Sequence, residues 1–97
     1  MSHHPLIQVI QAQPGYFTVI DIQDERNVVI GSPIIGWRVE THLRTAEYET
    51  FSYCVPLTVD GDVPSNCIGV QNPDMSVRLF DTYTADSLAA LQASRYP

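Results

Sequence analysis

Residues 34–43, IIGWRVETHL, alternate strictly in character. Ile35, Trp37, Val39 and Leu43 share one parity with Thr41, while Gly36, Arg38, Glu40 and His42 share the other. Residues 51–59, FSYCVPLTV, repeat the pattern: Phe51, Tyr53, Val55, Leu57 and Val59 stand against Ser52, Cys54, Pro56 and Thr58. A period of two marks a strand that buries one face. Two such rows joined by the polar run RTAEYET predict a long antiparallel hairpin, apolar row inward and Arg38–Glu40–His42 outward. A helix does not satisfy either row, so the middle of the chain is committed to sheet.

The flanking segments extend this reading. Residues 6–13 are apolar with Gln interruptions and suit a strand, and Pro14–Gly15 is a type II turn signal. YFTVIDIQ follows as a second strand with Tyr16, Thr18, Ile20 and Ile22 on one parity. DERN connects it to a short third strand, VVI, which Gly31, Ser32 and Pro33 interrupt as a bulge or corner. Pro56 marks an edge or bulge in the strand that follows the hairpin loop. DGDVPSN is a loop, and CIGVQ, NPDM and SVRLF form a last hairpin. From Thr84 the composition turns to alanine and leucine, predicting a helix over 84–95. Thr84 is its N-cap, Asp86 lies in its first turn, Arg95 complements its C-terminal dipole, and Leu88 and Leu91 form its apolar stripe.

The expected fold is α+β and mostly β. An antiparallel meander of six or seven strands forms a twisted sheet or partial barrel, with the C-terminal helix packed on it. The 97 residues make a single domain, 1–97, with 1–5 as a flexible N-terminal segment. The expected core holds Ile7, Val9, Ile20, Ile35, Trp37, Val39, Phe51, Tyr53, Val55, Leu57, Ile68, Val70, Leu79, Leu88 and Leu91.

Charge narrows the partners. The net charge is −6, yet only 16% of residues are charged, against about 25% in ordinary domains. The imbalance comes from scarce cations: five arginines and no lysine. Direct nucleic-acid binding is disfavoured, because phosphate neutralisation needs a basic patch. No apolar run approaches the ~18 residues of a membrane helix, and the start lacks a signal-peptide pattern, so no membrane role and a cytoplasmic location are expected.

Chemistry is constrained mainly by what is missing. Without lysine there is no phosphate-loop or Schiff-base lysine, and no Gly-rich phosphate loop occurs. Asp60, Asp62 and Asn66 do not follow the calcium-loop pattern, and two cysteines with distant histidines match no zinc set. MSHH offers an amine, amides and an imidazole of the kind that suits Cu(II) or Ni(II), but is read as a flexible terminus. No metal and no cofactor are expected. Cys54 and Cys67 are expected to be free thiols, because their offsets from the hairpin turn do not match. One catalytic constellation is present in the chain. Equal strand offsets around the loop bring His42 near Ser52 and Cys54 near Glu40, the ingredients of a thiol nucleophile.

The principal expectation is a non-catalytic protein-binding module, in a size class common among accessory proteins of bacteria, phages and other mobile elements. Its partner is another protein, and a homodimer is a further expectation. The contact residues are Arg38, Glu40, His42, Glu47, Tyr48, Glu49, Asp60, Asp62 and Tyr83. An inhibitor version blocks a basic nucleic-acid-binding surface with Asp21, Asp24, Glu25, Glu47, Glu49, Asp60 and Asp62. The alternatives are a small thiol-dependent enzyme using Cys54, His42 and Glu40, and an assembly subunit associating through sheet edges.

Overall fold

The computed structural model describes residues 6–44 and 49–97, with the side chains of 43–51 outside that description. The elements are β1 (Leu6–Gln11), β2 (Phe17–Ile22), β3 (Asn27–Arg44), β4 (Glu49–Thr58), β5 (Gly61–Asp62), β6 (Cys67–Gln71), β7 (Val77–Leu79), β8 (Thr84–Ala85) and helix α1 (Leu88–Arg95). Neighbouring strands pair antiparallel in the order β5-β4-β3-β2-β6-β7-β8, with β1 against β3. Among the described residues the sheet does not close. The α+β, mostly-β architecture with a C-terminal helix is the one the alternation predicts.

The expected short third strand and the fourth strand are one element, β3. Its first half pairs with β2 and its second half lies between β1 and β4. Gly31–Pro33 is the corner between them. Two residues of β2, from Phe17 to Val19, span three of β3, from Pro33 to Ile30, which defines a bulge. The bulge would orphan the backbone of Ser32, and Thr18 prevents this. Its buried hydroxyl accepts from the Ser32 N–H at 2.9 Å and donates to the Ser32 carbonyl at 3.3 Å. Strand continuity thus survives the proline because a side chain supplies the missing ladder bonds.

The hairpin register is one residue off the expected one. His42 pairs with Phe51, Glu40 with Tyr53, and Val39 with Cys54. A shift of one residue moves a strand's whole side-chain set to the other face. Trp37, Val39 and Thr41 therefore share a face with Pro56, Cys54 and Ser52, and Arg38 and Glu40 share theirs with Val55 and Tyr53. The hairpin has no all-apolar side. Ile7, Val9, Ile35 and Tyr53, expected in the core, are exposed. A further irregularity between Ile34 and Gly36 turns Ile34, not Ile35, inward.

The core sits at the other end, between β2, β3, β6, β7 and α1. Val19, Val28, Val77, Leu79 and Leu91 form it, with Ile30, Ile68, Leu88 and Tyr96 packed around. Val70, Leu79 and Leu91 are buried as expected, whereas β2 buries Val19 and Asp21 in place of Ile20. Gly69 is required here, because a Cβ would lie 2.4 Å from the Arg78 carbonyl oxygen.

Helix α1 begins four residues later than expected. Thr84 and Ala85 instead pair with β7, and Ser87 is the N-cap, its hydroxyl accepting from the Ala90 N–H at 3.1 Å. Gln92 fastens the helix to the outer edge of β3. Its amide oxygen accepts from the Val28 N–H at 2.7 Å, and its amide nitrogen donates to the Arg26 carbonyl at 2.9 Å. The molecule is elongated, 48 × 27 × 24 Å, with a radius of gyration of 15.4 Å against about 13 Å for a compact 100-residue domain. The excess length fits a three-stranded arm of β1, β4 and the second half of β3, projecting from the helix-covered core.

Candidate functional site: an apolar groove at the base of the arm

The corner in β3 swings the arm across the sheet face opposite α1. Between arm and sheet lies a groove of about 530 Å³. The arm contributes Ile10, Trp37, Val39, Cys54 and Pro56, all on one face by the register above. The core sheet contributes Val70, Arg78 and Phe80. Tyr16, just after the Pro14–Gly15 turn, meets the Trp37 ring edge-on with centroids 5.4 Å apart, which props the Trp37 side of the wall. Ile10 and Phe80 are exposed, so the groove presents apolar surface to solvent. Arg78 is its charged lining residue and makes no ion pair among the described residues.

The groove contains a thiol without a base. Cys54 is exposed and lines it, but no histidine or carboxylate does. The expected neighbours of Cys54 lie across the sheet: with Cys54 opposite Val39, the side chains of Glu40 and His42 project from the other face. The register slip thus separates the three residues proposed for thiol chemistry. Cys67, on the core sheet, is buried, and burial pushes its thiol up from the ordinary range. Among the described residues, no cluster of three or more His, Cys, Asp or Glu side chains could hold a metal ion.

The Arg38–Glu40–His42 row is half-buried rather than a wet coating. Arg38 donates to Asp62 on β5 at 2.8 Å, and its Nε lies 3.6 Å from Glu40 Oε2, an ion-pair distance beyond hydrogen-bond reach. His42 stacks edge-on with Tyr53, centroids 5.4 Å apart. These residues bind one another across β3, β4 and β5.

The other expected contact residues scatter. Asp60 is exposed in the turn before β5, and Asp62 is already paired with Arg38. Tyr83 lies beside α1, its hydroxyl 3.2 Å from the Ser94 hydroxyl. Glu47 and Tyr48 lie outside the described residues, as does the Glu49 side chain. Asp21 is not a surface anion but is buried against α1. The sequence reading missed Ile10, Phe80 and Arg78. For Ile10 a signal existed, since residues 6–10 carry apolar residues on both parities, which one buried face cannot absorb. For Phe80 and Arg78 there was none, because only the corner in β3 brings the arm over them.

Comparison with protein-family models, with curated proteins and with solved structures finds no match to this chain. No helix among the described residues is long and apolar enough to cross a membrane.

Proposed function

We propose that this chain is a non-catalytic protein-binding module that takes an apolar segment of a partner protein into the groove at the base of the arm. The observation that carries the reading is the groove's lining. Ile10, Trp37 and Phe80 offer apolar surface of the kind that anchors interfaces, beside a cation that can orient a carboxylate on the partner. A lone thiol with no base among the lining residues favours binding over nucleophilic chemistry. Two free thiols, one of them exposed, suit a reducing, cytoplasmic compartment. The inhibitor version based on an anionic array has less support, since Asp21 and Asp62 already hold arginines.

The test compares the two walls of the groove with the far face of the arm. Partner capture by the full chain is measured for wild type, Phe80→Ala, Trp37→Ala and Arg38→Ala, with thermal midpoints as the folding control. Phe80→Ala is expected to lose the partner, and Arg38→Ala, on the opposite face, to retain it. Trp37 is the chain's single tryptophan, so its fluorescence reports occupancy of the groove directly. Retention by Phe80→Ala with loss by Arg38→Ala would place binding on the wrong face and remove the proposal.

A further inference from the structure

Among the described residues, β1 is paired on one side only. The Ala12 N–H donates to the Ile35 carbonyl at 3.1 Å, which sets the phase of the β1–β3 ladder. In an antiparallel pair the backbone groups alternate in direction, so even-numbered residues of β1 turn toward β3. The N–H and C=O groups of Ile7, Val9 and Gln11 turn toward the open edge. Side chains on both faces of this strand are exposed and apolar: Leu6 is 76% exposed, Ile7 58%, Val9 65% and Ile10 45%.

The other strand edges are protected in ways that β1 is not. At the outer edge of the first half of β3, Gln92 takes up the Val28 N–H and the neighbouring Arg26 carbonyl. β5 carries Asp62 and is preceded by Asp60, and β8 is followed by Asp86. The outer edge of β4 carries Glu49 and includes Pro56, which has no N–H to offer. On a chain of net charge −6, the six residues of β1 itself carry neither a charge nor a proline, the usual devices against edge pairing, and Pro5 stands just before them.

Its sequence also complements itself. Leu6–Ile10 reads apolar, apolar, Gln, apolar, apolar in either direction. A two-fold axis through Gln8, normal to the sheet, sets Leu6 opposite the second copy's Ile10, Ile7 opposite its Val9, and Gln8 opposite its Gln8. Every apolar side chain then meets an apolar one, and the two amides can bond each other. The axis preserves faces, and the open backbone groups of Ile7 and Val9 meet as hydrogen-bonded pairs. Like charges, which would repel two acidic copies elsewhere, are absent from this segment.

We infer that β1 is a homodimer interface, at which a second copy of this chain adds its own β1 antiparallel, in register about Gln8. The two arms then form one continuous sheet. The second copy's Leu6 comes beside Ile10 at the lip of the groove, so the partner copy extends that wall. This inference stands on the edge and its sequence, independently of what the groove binds.

Light scattering on the full chain is expected to give twice the 10.8 kDa chain mass. Val9→Lys, a charge on the open edge, and Val9→Pro, which deletes an N–H that β3 does not use, are each expected to give a monomer with an unchanged far-UV spectrum. If Val9→Pro fails to fold, Val9→Lys carries the test. Register is read by cross-linking in a Cys54→Ser background. Gln8→Cys is expected to form a disulfide dimer, because opposed non-hydrogen-bonded residues lie about 4.5 Å apart at Cα, within disulfide reach. A monomeric wild type, an assembly larger than a dimer, a dimer indifferent to Val9→Lys, or stronger cross-linking from Val9→Cys than from Gln8→Cys overturns the inference. So does a β1 whose amides become protected from exchange only when a different protein is added.

Discussion

Asp21 on β2 accepts a hydrogen bond from Arg95 Nε at 2.8 Å across a separation of 74 residues. Asp21 is 3% exposed, its second carboxylate oxygen accepts from the Tyr96 hydroxyl, and the Arg26 guanidinium lies 5.3 Å from the Tyr96 ring centroid. This cluster, with Gln92, ties the end of α1 to the sheet. The pair is asymmetric, because Arg95 stays one-third exposed while Asp21 is enclosed. Removing Arg95 strands a buried anion, whereas Asp21→Asn removes the charge and frees an arginine that water can solvate. Arg95→Ala is expected to cost about 3 kcal/mol and Asp21→Asn about 2 kcal/mol. Urea unfolding of both variants and of the double mutant measures this, and the double mutant should cost less than their sum.

The same cluster gives the fold an alkaline limit. The hydrogen bond to Asp21 holds the Tyr96 hydroxyl above the ordinary phenol range, and burial raises the Cys67 thiol. Both groups bind their protons more tightly folded than unfolded. Their contribution is fully present below the unfolded values, ~9 for the thiol and ~10 for the phenol, and is lost as pH rises through the higher folded values. Thermal midpoints should therefore fall above about pH 9–10. Tyr96→Phe in a Cys67→Ala background should flatten that decline.

Thr18 is expected to matter through hydrogen bonding rather than size. Thr18→Val keeps the shape but removes the oxygen that serves both the N–H and the C=O of Ser32 at the bulge. Leaving those groups unsatisfied in a closed corner costs roughly 1–3 kcal/mol. Amide exchange at Ser32 should accelerate more than exchange at Val28, near the start of the strand. Equal acceleration at both sites would mean that Thr18 does not hold the corner.

The two thiols should label in sequence. Cys54 is exposed in the groove and Cys67 is buried on the core sheet, its Sγ 3.5 Å from the Gly69 carbonyl oxygen. A maleimide should therefore modify one site in native conditions and the second only on unfolding. Labelling Cys54 should also change Trp37 fluorescence, since both line the same groove.

The local grammar of the chain was legible wherever it rested on backbone chemistry. The alternating rows at 34–43 and 51–58 are strands, with Val59 already in the turn, Pro14–Gly15 is a turn, with Gly15 at φ 103°, and a helix closes the chain. Gly31–Pro33 is the corner that the proline announced. The candidate site was less legible, and the reason lies in one residue of register. Period-two patterning says that two strands each have two faces but not which faces coincide, and that choice depends on loop length and bulges. With His42 opposite Phe51 rather than Ser52, Cys54 leaves Glu40 and His42 and joins Trp37.

The helix boundary shows the same division. Thr84 has an N-cap's chemistry, but β7 offers it a strand partner, and Ser87 takes the cap instead. Residue order and composition by themselves determined that this chain is sheet-rich, poor in cations and without lysine chemistry, because those properties follow from side-chain type and spacing. Tertiary structure alone decided that Asp21 would be buried by Arg95, that β1 would carry its apolar residues into solvent, and that Trp37 would wall a groove rather than fill a core. Each depends on which distant segment packs against which face, and no single strand's sequence encodes its neighbour.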